Sequence, residues 1–337
     1  MTTFQRKRRH LLLATLAMIL SKRVASAAPR RFRVAFANLN EEPGTRIDGL
    51  GFTGSEIRRS FELASRSLPV DMTYYDNGGD GNKALGNAKD AVASKVDLLI
   101  EYNSDARANV EIGRMLETAR IPLLAVNYSV PGAPLYTADN IGAGRIAGQA
   151  LGKFAKENWS DQTLVAAILG DVSDSNAAVM ARIQGVTDGL RQELSDLPLV
   201  RLDSAGHSVR AGSALSKFLA AQTRRKVLVA TLDDASALAA KSAVEAAGRI
   251  SDCVIVSQGA DRSIHGGASE KKEIDPNNRC SVVLGSVAYY MDRYGYDVLP
   301  LALRLLAGET LPPRTVTKHT LVTAANVFRE YPPVDMN

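Results

Sequence analysis

The chain predicts an α/β fold built on parallel sheets and divided into two domains. Three observations predict it. Short apolar runs rich in β-branched residues recur along the sequence. Stretches with apolar residues at three- and four-residue spacing alternate with them. The length of 337 residues exceeds what a single hydrophobic core usually holds.

The strand-like runs lie at 32–39, 72–75, 96–102, 123–128, 164–169, 227–232, 253–256 and 281–289. Continuous apolar runs of this kind suit strands covered on both faces, as in a parallel sheet. The helical stretches lie at 55–67, 82–94, 106–120, 140–159, 178–194, 209–222 and 235–248. In such folds ligands sit beyond the carboxyl ends of the strands, in the loops that lead into helices.

Those loops carry polar and aromatic residues. The first run is followed by Asn38 and Asn40, the third by Tyr102, Asn103 and Asp105, the fourth by Asn127 and Tyr128. Asp171, Ser173, Ser175 and Asn176 follow the fifth. Asp233 and Asp234, then Gln258 and Asp261, follow later ones. Asp, Asn and Ser before a helix are ordinary N-caps, and Asp105, Ser175, Asp234 and Asp261 are read that way. Capping does not account for the tyrosines. Aromatic rings beside amides suit a polyhydroxylated ligand, whose C–H faces the rings cover and whose hydroxyls the amides bond.

The segment 76–82, Asp-Asn-Gly-Gly-Asp-Gly-Asn, has the look of a calcium loop. It lacks the later bidentate glutamate, so it is read as a glycine-rich turn capping the next helix.

Residues 1–27 read as a secretory leader. Arg6, Lys7, Arg8 and Arg9 precede an apolar run at 11–20, and Ala25-Ser26-Ala27 offers a small-residue cleavage pattern. The run is short for a bilayer span. Arg8-Arg9 also fits a loose twin-arginine pattern, which leaves the twin-arginine and Sec routes both open. No cysteine lies near the cleavage pattern to take a lipid. The expected location is the periplasm. The leader holds six of the 41 Lys and Arg and no acid, so the formal charge of +5 becomes −1 for residues 28–337. The basic balance belongs to the leader and argues for no nucleic-acid or membrane partner.

Cys253 and Cys280 each open a strand-like run. If those strands are neighbours a disulfide is feasible in an oxidising compartment; otherwise both are small buried residues. Of four histidines, His10 falls in the leader, and His207, His265 and His319 stand far apart. The sequence holds no His-Glu-x-x-His, Cys-x-x-Cys, Gly-x-Ser-x-Gly, Walker loop or dinucleotide fingerprint. An enzyme is therefore the weaker reading, and no metal or cofactor is expected.

An ordered set of short motifs resembles a known family. Val96-Asp-Leu-Leu-Ile, then Ile121-Pro-Leu-Leu-Ala-Val-Asn127, then Asp139-Asn-Ile-Gly-Ala-Gly144 come first. Arg182-Ile-Gln-Gly185, Thr231-Leu-Asp-Asp234, Ala247-Gly-Arg249 before Val254, and Gly308-Glu309 follow. In that order they resemble the type 1 periplasmic sugar-binding proteins, the ribose- and galactose-binding kind that share a core with LacI-type repressors. The resemblance implies two Rossmann-like lobes joined by three crossings. The first would hold residues 30–129 and 290–322, the second 130–289 and 323–337. It implies a monomer that binds a sugar or polyol between the lobes and delivers it to an inner-membrane ABC permease. Feeding a chemoreceptor or histidine kinase is the alternative. A repressor is disfavoured because a leader stands where a DNA-reading module would be.

By the same resemblance Arg182 would grip adjacent hydroxyls with its fork of donors, and Asp233 would accept from another. Asn40, Asn103 and Asn176 are further candidates, with Phe52 as a stacking ring. Departures are visible. Asn127 and Tyr128 stand where the family has Asp-Arg, Gln258 where a Phe-Asp pair is expected, and Tyr289 near the hinge amide. The ligand is thus left open between a ribose- or galactose-like sugar, a polyol, a deoxysugar and a furanose.

Overall fold

A computed structural model describes residues 30–173, 176–266, 272–278 and 281–332. The expectations for residues 1–27, for the Ser175 cap and for Cys280 as a disulfide partner lie outside the described residues. Cys253 is a buried free thiol.

The first sheet has six strands in the order β11-β5-β4-β3-β1-β2. They are β1 (Phe32–Asn38), β2 (Val70–Asp76), β3 (Leu98–Glu101), β4 (Leu123–Val126), β5 (Leu135–Thr137) and β11 (Arg314–Val316). All its pairings are parallel. The second sheet runs β12-β10-β9-β8-β6-β7, with β6 (Leu164–Gly170), β7 (Leu199–Asp203), β8 (Lys226–Thr231), β9 (Cys253–Gly259), β10 (Val283–Ala288) and β12 (Thr320–Thr323). Only β12 is antiparallel to its neighbour. The helices are α1 (Gly54–Ser65), α2 (Gly81–Ala93), α3 (Ala106–Ala119), α4 (Asn140–Asn158), α5 (Ala177–Glu193), α6 (Ser208–Ala221), α7 (Asp234–Ala246), α8 (Arg262–His265), α9 (Tyr294–Leu306) and α10 (Val327–Glu330).

Side-chain alternation sorts the core. On β1, Val34 and Phe36 join one apolar cluster while Ala35 and Ala37 join another with Ala84, Ala88 and Ala91 of α2. Small residues on that face let α2 lie close to the sheet. On β6, Ala166 and Ile168 face one cluster, and Val165, Ala167 and Leu169 the other. Strands buried on both faces need this double apolar pattern, which made them legible as runs.

Helix starts follow their caps. Thr53 and Glu56 form a reciprocal capping box on α1. Asp80 caps α2 through the amides of Asn82 and Lys83, so the glycine-rich segment is the expected turn. Asp105 caps α3 and Asp261 caps α8. Asp234 departs from the expected role: the cap of α7 is Asp233, and Asp234 turns inward. It is fully buried and accepts from the hydroxyls of Ser257 and Ser286 (both 2.6 Å) and from the Asp261 amide (2.7 Å), tying α7 to β9 and β10.

Sheet membership sets the crossings at 138–139, near 289–290 and at 317–319. The first lies later than 129–130, because β5 extends the first sheet. The third lies earlier than 322–323, because β12 already belongs to the second. Both strands are only three or four residues long and give no apolar run. His319 touches all three crossings. Its Nε2 accepts from the Asp139 amide (3.1 Å), its Nδ1 lies 2.9 Å from the Ala288 carbonyl, and its ring packs on Tyr289.

α4 and α5 lie together along glycines. A methyl group at Gly144 would sit 2.2 Å from the Arg182 carbonyl, and one at Gly185 would sit 2.1 Å from the Ile141 carbonyl. The two helices meet backbone to backbone, and this contact sets where Arg182 stands.

Candidate ligand-binding site

The strand ends of both sheets face one another across a cleft. From the first lobe come Tyr102, Asn127 and Tyr128. From the second come Asn176, Arg182 and Asp233. Between them lies a turn of the long loop that joins β1 to α1, the 3-10 turn Ile47–Gly49.

That turn is built inward. Ile47, Leu50 and Phe52 are buried in the same apolar cluster as Tyr102, Tyr289 and Tyr294. Asp48 adopts a left-handed conformation (φ 55°), uncommon outside glycine, and its side chain enters the cleft. Its Oδ2 accepts from the Tyr102 hydroxyl at 2.5 Å and the Asn127 amide at 2.9 Å. Its Oδ1 accepts from the Tyr128 hydroxyl at 2.6 Å. Burial and the nearby Asp48 charge push both tyrosine hydroxyls well above their ordinary pKa, so they remain donors. Asn127 is also left-handed (φ 57°), a conformation asparagine tolerates, and it turns its amide from the strand into the cleft.

Arg182 reaches across from α5 and is almost wholly buried. Its Nη1 donates to the Leu232 carbonyl at 2.9 Å and its Nη2 to the Asp48 carbonyl at 3.2 Å. Its Nε is buried and unpartnered. The Tyr289 ring lies 6.0 Å from the guanidinium carbon. Two further ionic contacts span the lobes, Arg46 with Asp261 and Arg262 with Glu56, both at 3.8 Å.

Two adjacent cavities share Arg182, Asn176 and Leu50. One, of about 50 Å³, is walled by Asp48, Asn127, Tyr128, Asn140, Tyr289 and Tyr294. The other, of about 210 Å³, is walled by Arg46, Asp171, Leu232 and Asp233. Asp233 accepts from the amide and hydroxyl of Ser236, both at 2.7 Å. Burial raises its pKa.

The structure thus brings Asn127, Tyr128, Asn176, Arg182, Asp233 and Tyr289 to the cleft. Asn176 and Asp233 are at once helix caps and cleft residues. Four other candidates lie outside both cavities. Phe52 is buried in the apolar cluster, and Asn40 closes its own loop on the Glu42 amide. Asn103 exchanges bonds with Asn109. Gln258 is buried with its Oε1 accepting from the Tyr289 hydroxyl at 3.1 Å. Sequence reasoning missed Asp48, Asn140 and Tyr294. Asp48 sits in a loop with no helical or strand period, where no spacing argument could single it out.

A family model described as the periplasmic binding protein domain matches residues 53–310. A D-ribose/D-allose-binding protein of Pseudomonas aeruginosa is 26% identical over 300 residues, covering 85% of this chain and 86% of its own. Among solved structures, a Mycobacterium smegmatis protein in complex with β-D-fucofuranose superposes with a TM-score of 0.65 at 19% identity, over 89% of this chain and 94% of that one. An ABC transporter periplasmic solute-binding protein of Actinobacillus succinogenes with bound D-allose gives 0.67 at 14% identity, over 89% and 99%. The two α/β lobes and their parallel-dominated sheets are those of the type 1 architecture. On a match that spans most of its length, the chain belongs to the periplasmic binding protein family.

Proposed function

We propose that the protein binds a small polyhydroxylated ligand, a sugar or polyol, between its lobes and delivers it to the permease of an ABC importer. The observation that carries this reading is Arg182. It is a buried cation between two cavities, its Nε unpartnered, surrounded by amides, tyrosines and the Asp233 carboxylate. Such a set offers donors and acceptors to hydroxyls and ring faces to C–H bonds. The relatives support the ligand class, since those named above are described with ribose, allose and fucofuranose. Residues 1–27 are read as the leader that exports the chain, through the twin-arginine or Sec route, to work as a periplasmic monomer.

The test is a thermal-shift screen of the purified protein against pentoses, hexoses, furanosides and polyols. A ligand that binds the folded state alone raises stability by about 2.7 kcal/mol at a hundredfold excess over Kd. Arg182→Ala and Asp233→Ala should each remove most of the shift. Should no sugar or polyol raise the melting temperature, the reading fails.

A further inference from the structure

We propose that Asp48 sets the charge of the ligand this cleft accepts, selecting neutral hydroxyl-bearing molecules and excluding their carboxylic acids. The inference rests on the sugar-binding reading above and deepens it.

Asp48 is held in place by an unusual choice of partners. Its carboxylate takes three hydrogen bonds, from Tyr102, Asn127 and Tyr128, and all three donors are neutral. Among the described residues no cation pairs with it. Arg182, the one cation sharing its cavity, bonds its backbone carbonyl instead. The charge is therefore oriented and kept in a fixed position without a direct ion pair. The turn cannot readily swing it out to solvent, because Ile47 and Leu50 on either side are buried.

The hydrogen-bond count then defines what is missing. A carboxylate has about four acceptor positions. Two partners occupy Oδ2 and one occupies Oδ1, which leaves an acceptor position on Oδ1. Arg182 carries five N–H donors; one on Nη1 and one on Nη2 are used, and Nε is buried and unpartnered. The unmet groups are thus an acceptor on Asp48 and donors on Arg182, two residues that wall the same cavity. A hydroxyl, or two neighbouring hydroxyls, meets both needs, since each can donate and accept. An ionised carboxylate meets only the need of Arg182. It would also bring a second negative charge beside Asp48, and like charges in a partly desolvated site repel strongly.

The experiment measures Kd by calorimetry for matched pairs that keep the sugar ring and exchange one CH2OH for a carboxylate: D-glucose with D-glucuronate and D-galactose with D-galacturonate. The wild type should bind the neutral member of its preferred pair at least a hundredfold more tightly than the acid. Asp48→Asn keeps the shape and removes the charge. It should weaken the neutral ligand about tenfold or more, the usual worth of a charged hydrogen bond, and should narrow the gap to the acid. An acid that binds wild-type protein as tightly as its neutral partner overturns the proposal, whether or not the variant folds. So does an Asp48→Asn protein that binds the neutral sugar as well as wild type does, or better; that result would make Asp48 a competitor occupying the site. If wild-type protein binds no member of any pair and no sugar in the wider screen, the sugar-binding reading itself has failed and this inference falls with it.

Discussion

A single methyl group should separate two glycines that look alike in sequence. Gly86 lies inside α2 and Gly185 inside α5. A Cβ at Gly86 meets nothing within 4 Å. Replacing it with alanine should stabilise the protein by about 0.5–1 kcal/mol, the ordinary helix preference of alanine over glycine. A Cβ at Gly185 would lie 2.1 Å from the Ile141 carbonyl oxygen, 2.9 Å from the Arg145 amide nitrogen and 3.0 Å from the Ile141 carbonyl carbon. Relieving the first contact requires the helices to part by about 1 Å, since a Cβ essentially never comes within 3.0 Å of another heavy atom. All three atoms are backbone, so no side chain can step aside. Overpacking of this kind costs about 1–3 kcal/mol or more, which outweighs the propensity gain. Thermal or urea unfolding of the two variants should therefore move in opposite directions, about 2 kcal/mol apart. The same shift displaces Arg182, one turn before Gly185, so Gly185→Ala should also weaken ligand binding while Gly86→Ala leaves it unchanged. Equal stability of the two variants would refute the backbone contact between α4 and α5.

Other consequences can be measured directly. Glu101 is buried with one oxygen unpartnered, and burial pushes its pKa up to about 8. The unfolded chain ionises near 4.5 while the fold keeps the proton, so stability falls as pH rises through 4.5–8; Glu101→Gln should remove that slope and gain roughly 3 kcal/mol at pH 7 in urea titrations. Burial lowers both His265, to about 4, and His319. Their neutral forms cost nothing above pH 6.5, and stability is lost as pH falls below it, for His265 down to about 4, so melts of His265→Phe and His319→Gln should show a flatter acid limb than wild type. Arg182→Lys keeps the charge but loses the fork, and calorimetry with the tightest sugar from the screen should show at least about tenfold weaker binding. Asp234→Ala strands the two serine hydroxyls and the Asp261 amide, and should cost about 3 kcal/mol or more in unfolding midpoints without entering the cleft.

The sequence by itself determined the α/β class, the core strands and the helices α1 to α7, but not α9. Buried parallel strands leave continuous apolar runs, and helix starts leave caps such as Thr53, Asp80 and Asp105. It also singled out Arg182, Asp233, Asn127, Tyr128, Asn176 and Tyr289, because strand ends and the resemblance's motifs mark them locally. It did not show β5, β11 and β12, which are three or four residues long, nor β7, whose residues are half exposed. Phe52, Asn40, Asn103 and Gln258 share the composition of cleft residues, yet their neighbours in space hold them elsewhere. Asp48 was invisible for the same reason in reverse. Nothing in its own loop distinguishes it, and its donors lie 54, 79 and 80 positions away. Local sequence encodes what local hydrogen bonds and periodic burial decide. The charge at the centre of the cleft is decided by groups that only the closed chain brings together.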